Sequence, residues 1–322
     1  MKICIISFDF WKYDAHIVSV LKKMGIEAHH INMGAYQHKN SATRIKNALS
    51  KIVLNKNLKT INRQNLILAE LNKIGNQDQI LVINPETISA EYHEKIKQFT
   101  PKYIAYLYDS LARNPAEHLL HFYDKVFSFD KSDVQKHGFQ LITNYNYLPQ
   151  KKISQNPKYD LVYLASFDDR MNTAKKIAEK IISFNKTYHY LVVGKKSWKK
   201  KYFGGKNSSW TFTSKKVQHE DIPKFYSQGK VILDLVRKNQ DGLSFRIFEA
   251  MALKKKIITN NETIKEYDLY DPENILIINE DLSNIERSFF ESEYHDLKPE
   301  IYQKYTLENW VKTVFDLGKN TQ

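Results

Sequence analysis

A chain of 322 residues with 42% hydrophobic and 13% aromatic content can bury a sizeable core and exceeds what one core usually serves, so two domains are expected. The single cysteine, Cys4, excludes an intramolecular disulfide framework. No apolar run of roughly eighteen residues and no signal-peptide pattern is present, so a soluble cytoplasmic protein is expected.

The net charge of +13 favours anionic partners, which include nucleic acid, a membrane surface or a small molecule. It is shared almost evenly, +6 over residues 1–150 and +7 over 151–322, so no basic tail stands out. "MKICIISF" is an apolar run of strand length. "AHIVSVLKKMGIEAHHINM" follows with apolar positions at helical spacing, Gly25 as a stop and a second short apolar stretch, which predicts strand, helix, strand. Residues 38–75 are polar, rich in lysine and asparagine and helical in period, and are expected as an excursion at the sheet edge. "QILVINPETIS" and "KYIAYLYDS" predict two more strands, and "DKVFSFDKSDVQKHG" a strand entering a short helix.

"LPQKKISQNPKY", residues 148–159, has the polar, proline-bearing composition of a linker. The alternation then restarts. "YDLVYLASF", "YHYLVVG", "KVILDLV" and "KIITN" predict strands, with "WTFTS" and "NILIIN" as further candidates; "RMNTAKKIAEKIISF", "HEDIPKFYSQ" and "SFRIFEAMALK" predict helices. Two successive α/β units with parallel strands and crossover helices suggest two sheets facing a cleft. The densest basic cluster, "KKSWKKK" from Lys195 to Lys201, reads as a solvated loop or as a contact for phosphate or anionic lipid.

Ligands of open parallel sheets bind beyond the carboxyl ends of the strands, where helix amino termini present unpaired N–H groups. After "KVILDLV" the chain runs through "RKNQDGLSF" into a helix, and Gly242, Leu243 and Ser244 would offer bare amides suited to a phosphate. Asp241 and Glu249, with seven residues between them, would reach hydroxyl groups on either side. Acid, amides and acid match a molecule with hydroxyls, diphosphate and hydroxyls, the layout of a nucleotide sugar. The plainer readings are that Asp241 caps the helix and that Arg246 pairs with Glu249 on the same helix.

Residues 231–261, "VILDLVRKNQDGLSFRIFEAMALKKKIITNN", resemble the donor-binding segment of GT-B glycosyltransferases, particularly bacterial surface-polysaccharide enzymes in which two glutamates are separated by seven residues. "LVYLASFDDR", "VQHEDIPKFYSQGKVILDL" and "YTLENWVKTVF" are similar to other parts of that family. "YIAYLYDSLARNP" and "DKVFSFDKSDVQKHGF" resemble the matching region of lipopolysaccharide and capsule biosynthesis proteins. The resemblance covers most of residues 80–315. It implies an α/β GT-B fold of two Rossmann-like doubly wound domains about a central cleft. The expected division is an acceptor domain over 1–150, a donor domain over 151–303 and a terminal helix in 304–322 that returns to the first domain.

The resemblance further implies transfer of a sugar from a nucleotide-sugar donor to a saccharide or lipid-linked acceptor at the inner membrane face, with retention. Glu249 would hold the ribose hydroxyls. Arg170 would face the diphosphate, with Arg246, Lys195 and Lys196 as further cations. Asp241 stands where the family commonly has glutamate, one methylene longer. On the acceptor side Asp109, Asp9 and His16 are candidates to face the reaction centre, Asp109 first should a base be needed; in retaining enzymes of this type the leaving phosphate takes the proton.

A nicotinamide-linked dehydrogenase would carry a glycine fingerprint after its first strand, and "SFDFWKYDA" has none. No Asp-x-Asp pair is present, so metal-independence is expected, with no cofactor besides the donor substrate, and one cysteine leaves no zinc signature. Two rivals remain. A nucleic-acid-binding protein would account for the charge and 20 tyrosines, but no recognition motif is present and nucleic acid is not expected as a partner. A nucleotide-sugar-binding subunit without turnover would share the donor site. Peripheral contact with anionic membrane fits the basic surface.

Overall fold

A computed structural model describes residues 1–9, 12–35, 58–150, 157–194, 209–237 and 241–318. Lys195, Lys196, the rest of the "KKSWKKK" cluster and much of the expected linker lie outside the described residues. The chain divides into one unit of Met1–Ile142 with Trp310–Gln322 and a second of Thr143–Asn309. The division therefore falls eight residues before the expected boundary at 150, because the polar stretch after Ile142 is tied into the second unit. Asn144 Nδ2 donates to the Leu243 carbonyl at 2.9 Å, Asn146 bridges to Thr306, and the Tyr147 hydroxyl donates to Glu249 at 2.7 Å.

The first unit is a parallel sheet of β1 (Lys2–Ser7), β2 (Glu27–Asn32), β3 (Gln79–Ile83), β4 (Tyr103–Leu107), β5 (Lys125–Ser128) and β6 (Gln140–Leu141), ordered β2-β1-β3-β4-β5-β6. Parallel sheets covered on both faces need strands that are apolar throughout. Every residue of β3 and β4 is accordingly buried. The helices are α1 (Asp14–Lys23), α2 (Leu58–Ile74), α3 (Ala90–Lys97) and α4 (Lys131–His137). Ile17, Val18 and Leu21 form the buried stripe of α1, which ends as Gly25 takes a left-handed φ of +78° and donates its N–H to Lys22. Residues 310–318 complete this unit: Trp310 meets Tyr106 edge-on at 5.1 Å, and the Asp316 carboxylate is gripped by Lys102 at 2.7 Å and Lys125 at 3.1 Å.

The second unit is a parallel sheet of β7 (Tyr159–Ser166), β8 (Tyr188–Val193), β9 (Trp210–Thr213), β10 (Gly229–Asp234), β11 (Lys256–Thr259) and β12 (Ile275–Ile277), ordered β9-β8-β7-β10-β11-β12. The candidate strands "WTFTS" and "NILIIN" are present as β9 and β12. Two apolar clusters cover its two faces. On one, α5 (Met171–Ile182) contributes Met171, Ala174, Ile177, Ala178 and Ile181, spaced three and four apart. α6 (Ile222–Ser227) and α7 (Phe245–Leu253) lie on the other. Gly229 lets β10 approach β7 closely: a Cβ there would fall 2.5 Å from Val162 Cγ2.

Strand order reverses between β1 and β3 in the first unit and between β7 and β10 in the second. In doubly wound sheets a crevice opens at such switch points beyond the strand carboxyl ends. Among the described residues no helix is long and apolar enough to cross a membrane.

Candidate functional site

At the second switch point, β7 delivers Asp168 and Arg170, β10 delivers Asp234 and Arg237, and α7 delivers Ser244, Arg246 and Glu249. Asp168 holds Arg170 with two bonds, Nε to Oδ1 at 2.8 Å and Nη2 to Oδ2 at 2.6 Å, while Arg170 Nη1 donates to the Leu235 carbonyl at 2.7 Å. The guanidinium is thereby fixed across the ends of both central strands. Arg237 Nε reaches the same Asp168 carboxylate at 3.4 Å and is 37% exposed in its side chain, so its charge faces solvent at this edge. Burial works against ionisation of Asp168, but the Arg170 hydrogen bonds and charge outweigh it and hold the carboxyl below its ordinary range.

Asp234, the last residue of β10, is fully buried and is the anchor of the motif helix. Its Oδ1 accepts from Ser244 Oγ at 2.8 Å and Arg246 Nη1 at 2.5 Å, and Oδ2 from Thr259 Oγ1 at 3.5 Å. Arg246 therefore pairs across to the strand and not with Glu249 one turn along its own helix. Burial disfavours its charge, but Tyr226 and Asp234 more than compensate, so it stays ionised. Tyr226, itself pushed upward by burial, senses Arg246, Glu249 and Asp234 together, which places these three groups in one electrostatic cluster.

Ser244 occupies the cap position of α7, but its hydroxyl is committed to Asp234 and makes no capping bond. Asp241 lies three residues earlier and is not the cap. The loop is stiffened from behind: Thr263 Oγ1 donates to the Asp241 carbonyl at 2.5 Å, Asn261 Nδ2 to that of Gly242 at 3.3 Å and Asn144 Nδ2 to that of Leu243. With its carbonyls held by side-chain donors, the loop carries the first-turn amides of α7 in a fixed place. Glu249 is 1% exposed and accepts from the Tyr147 hydroxyl. This edge thus combines three guanidinium groups, a helix amino terminus and an oriented carboxylate, a set suited to a diphosphate flanked by hydroxyls. Among the described residues no group of three or more His, Cys, Asp or Glu is placed to hold a metal ion.

In the first unit, Asp9 follows β1 with φ of +36° and its Oδ1 accepts the Asp14 amide at 3.0 Å, so it closes the turn into α1. His16 lies half-buried in the first turn of α1. Asp109 follows β4 and is paired with Arg113 at 2.8 Å, with Asn114 donating to its other oxygen at 3.3 Å. The residue that stands out was not among the expected ones. Asp14 is 2% exposed at the switch point, accepts from the Tyr108 hydroxyl at 2.5 Å and is reached by Ser7, whose Oγ also meets His30 Nε2 at 3.0 Å. Burial, then the nearby Asp9 charge, push its carboxyl up to about 7. Its folded state binds the proton more tightly than the unfolded chain, so stability contributed by the protonated form is present at low pH and lost as pH rises from about 4 to 7. Asp14→Asn is expected to stabilise the protein at pH 8, by up to about 4 kcal/mol, with the gain shrinking toward pH 4. Urea unfolding of both proteins across that range checks it; a pH-independent difference contradicts it.

Comparison with known proteins fits this geometry. Residues 172–302 match the family model described as glycosyl transferase-like. No curated protein gives a significant match to the sequence. Among solved structures, the chain is similar to an apo lipopolysaccharide outer core galactosyltransferase, WaaB (TM-score 0.59, 12% identity, 98% of this chain and 99% of that one). It is also similar to an α-glucosyltransferase in complex with UDP and a 13-mer DNA containing an HMU base (TM-score 0.63, 12% identity, 98% and 99%). A third is the UDP-GlcNAc 2-epimerase of Methanocaldococcus jannaschii in complex with UDP-GlcNAc and UDP (TM-score 0.53, 16% identity, 98% and 100%). At these identities the likeness establishes the two-unit α/β GT-B fold.

Proposed function

We propose that this chain, a glycosyltransferase of the GT-B fold, binds a nucleotide sugar at the β7–β10 edge of its second unit and transfers the sugar to a saccharide or lipid-linked acceptor in cell-surface polysaccharide synthesis. The observation that carries the donor assignment is the meeting of Arg170, Arg237 and Arg246 with the uncapped start of α7 at the point where strand order reverses. The diphosphate takes the α7 amides and the guanidinium face. Glu249, oriented by Tyr147, takes hydroxyls of the nucleoside end, and Asp241 takes those of the sugar. The developing charge on the leaving diphosphate is met by fixed cations and amides, so the reaction proceeds without a metal. The same diphosphate accepts the acceptor proton on the face it leaves, and configuration is retained. Basic surface supports peripheral contact with anionic membrane where lipid-linked acceptors reside.

The test is a screen of UDP, GDP, CMP and TDP sugars by ligand-induced thermal stabilisation, followed by acceptor-dependent release of free nucleotide. One nucleotide class is expected to stabilise the protein, and Arg237→Ala to weaken that binding about 10- to 100-fold, the size of a lost charge-assisted hydrogen bond. Binding without acceptor-dependent release in any saccharide or lipid-linked series, or release with DNA alone, would overturn the transfer assignment. Interconversion of the donor sugar without release would mark an epimerase instead.

A further inference from the structure

Ser7 ends β1 at the first switch point and is fully buried, yet its hydroxyl lies between two titratable side chains. Its Oγ is 3.0 Å from Nε2 of His30 on β2 and also reaches the carboxyl of Asp14, the first residue of α1. A serine hydroxyl has one proton to donate and lone pairs with which to accept. Between a carboxyl and an imidazole it donates to one and accepts from the other, so the state of each end constrains the state of the other.

With Asp14 ionised, Ser7 donates to the carboxylate and accepts from His30, whose ring proton is then on Nε2. With Asp14 protonated, its O–H donates to Ser7, Ser7 donates to His30 Nε2, and the ring proton is on Nδ1. The Tyr108 hydroxyl, following β4, donates to Asp14 Oδ1 in both arrangements. They differ by one proton, and His30 is neutral in each. Among the described residues the groups that act on Asp14 are Asp9 from the β1–α1 turn, Tyr108 and Ser7; none is a cation, and Asp9 is a like charge. Burial, then Asp9, push the Asp14 carboxyl up to about 7, whereas burial holds His30 below its ordinary 6.5 even though Asp9 favours its charge. A proton arriving near neutrality therefore settles on the acid and not on the imidazole.

We propose that Asp14, Ser7 and His30 form a proton-driven relay, in which uptake of one proton by the buried carboxyl reverses the Ser7 hydroxyl and moves the His30 ring proton from Nε2 to Nδ1. The proton enters at His30, which is half-buried where Ser7 and Asp14 are closed to solvent. It binds Nδ1, the Nε2 proton passes to Ser7 Oγ, and the Ser7 proton passes to Asp14. Nδ1 of His30 is thus a hydrogen-bond acceptor above the transition and a donor below it. The switch point of the first unit carries a hydrogen-bond polarity that follows pH.

The test is NMR of the whole chain, following the ring nitrogens of His30 and the carboxyl carbon of Asp14 through one pH titration, with the signals identified by their loss in His30→Gln and Asp14→Asn. As pH falls through about 7, His30 is expected to stay neutral while Nε2 changes from the protonated to the unprotonated type of nitrogen, at the midpoint of the Asp14 carboxyl. The imidazolium should form only at lower pH. In Ser7→Ala the carboxyl should still titrate, but the tautomer should no longer follow it. Asp14→Asn, whose amide N–H can donate to Ser7 as the protonated acid does, should hold His30 as the Nδ1–H form across the neutral range. Tyr108→Phe should leave the tautomer change in place. An imidazolium forming while Asp14 stays ionised, one tautomer on both sides of the carboxyl midpoint, a change that persists in Ser7→Ala, or one that is lost in Tyr108→Phe would each overturn the proposal. Should Ser7→Ala fold poorly, the wild-type titration decides alone, because both groups are read in one sample. No nucleotide or acceptor is added, so this proposal and the donor assignment fail separately.

Discussion

Asp234→Ala is expected to lower the unfolding free energy by about 3–5 kcal/mol, the range for removing one partner of a buried ion pair. The cost comes less from the lost attraction than from leaving Arg246 charged in a low-dielectric setting without its carboxylate, and Ser244 without its bond. The effect should localise to the start of α7, so donor binding weakens with it. A double variant, Asp234→Leu with Arg246→Met, removes both charges and should recover much of the stability while donor binding stays poor. Urea denaturation of the single and double variants separates these effects. A single-variant loss below about 1 kcal/mol would mean the pair is solvated and is not what positions the helix.

Glu249→Ala is expected to lower kcat/KM at least 100-fold, about 2.7 kcal/mol of transition-state stabilisation, and to weaken donor binding measurably. The carboxylate is buried and oriented by the Tyr147 hydroxyl, so Tyr147→Phe should cost less, about 3- to 10-fold, by loosening the carboxylate without removing it. Initial rates over a range of donor concentrations, with direct binding of the nucleotide, distinguish loss of binding from loss of turnover. Wild-type kinetics in Glu249→Ala would remove the motif helix from the donor site.

The alternation of strands and helices was legible because parallel strands buried on both faces must be continuous apolar runs, and β1, β3, β4, β7 and β10 are such runs in the linear text. The motif helix and its loop were legible for a similar reason, since glycine and serine before an apolar helix mark an amino terminus. What could not be read is tertiary pairing. Arg246 has Glu249 three residues away in sequence, and only the fold shows that Asp234, inside the run "KVILDLV", is its partner. An acid within such an apolar run was the available signal. Asp14 was hidden more completely, because an aspartate opening a helix ordinarily complements the helix dipole, and nothing local reveals Tyr108 closing over it. Asn144 to Tyr147 were assigned to the first domain because their partners, Leu243, Thr306 and Glu249, are about a hundred residues or more away. Arg237 and Asp168 were passed over for the same reason: each matters through the other and through Arg170.

The arrangement also explains why one short segment carries so much. α7 is buried almost all round, from Ile247 to Leu253, so its position is set by packing on the sheet and cannot drift with surface conditions. Its amino end is then a fixed dipole terminus, and the cations around it are held by acids that are themselves pinned. Such preorganisation is what makes electrostatic stabilisation of a leaving group effective, since little reorganisation is required as charge develops.

The most direct measurement is a crystal structure with the nucleoside diphosphate that the screen selects. The diphosphate is expected within hydrogen-bond distance of the first-turn amides of α7, with Arg237 and at least one of Arg170 and Arg246 reaching its oxygens. Well-defined diphosphate density away from the carboxyl ends of β7 and β10 would contradict it.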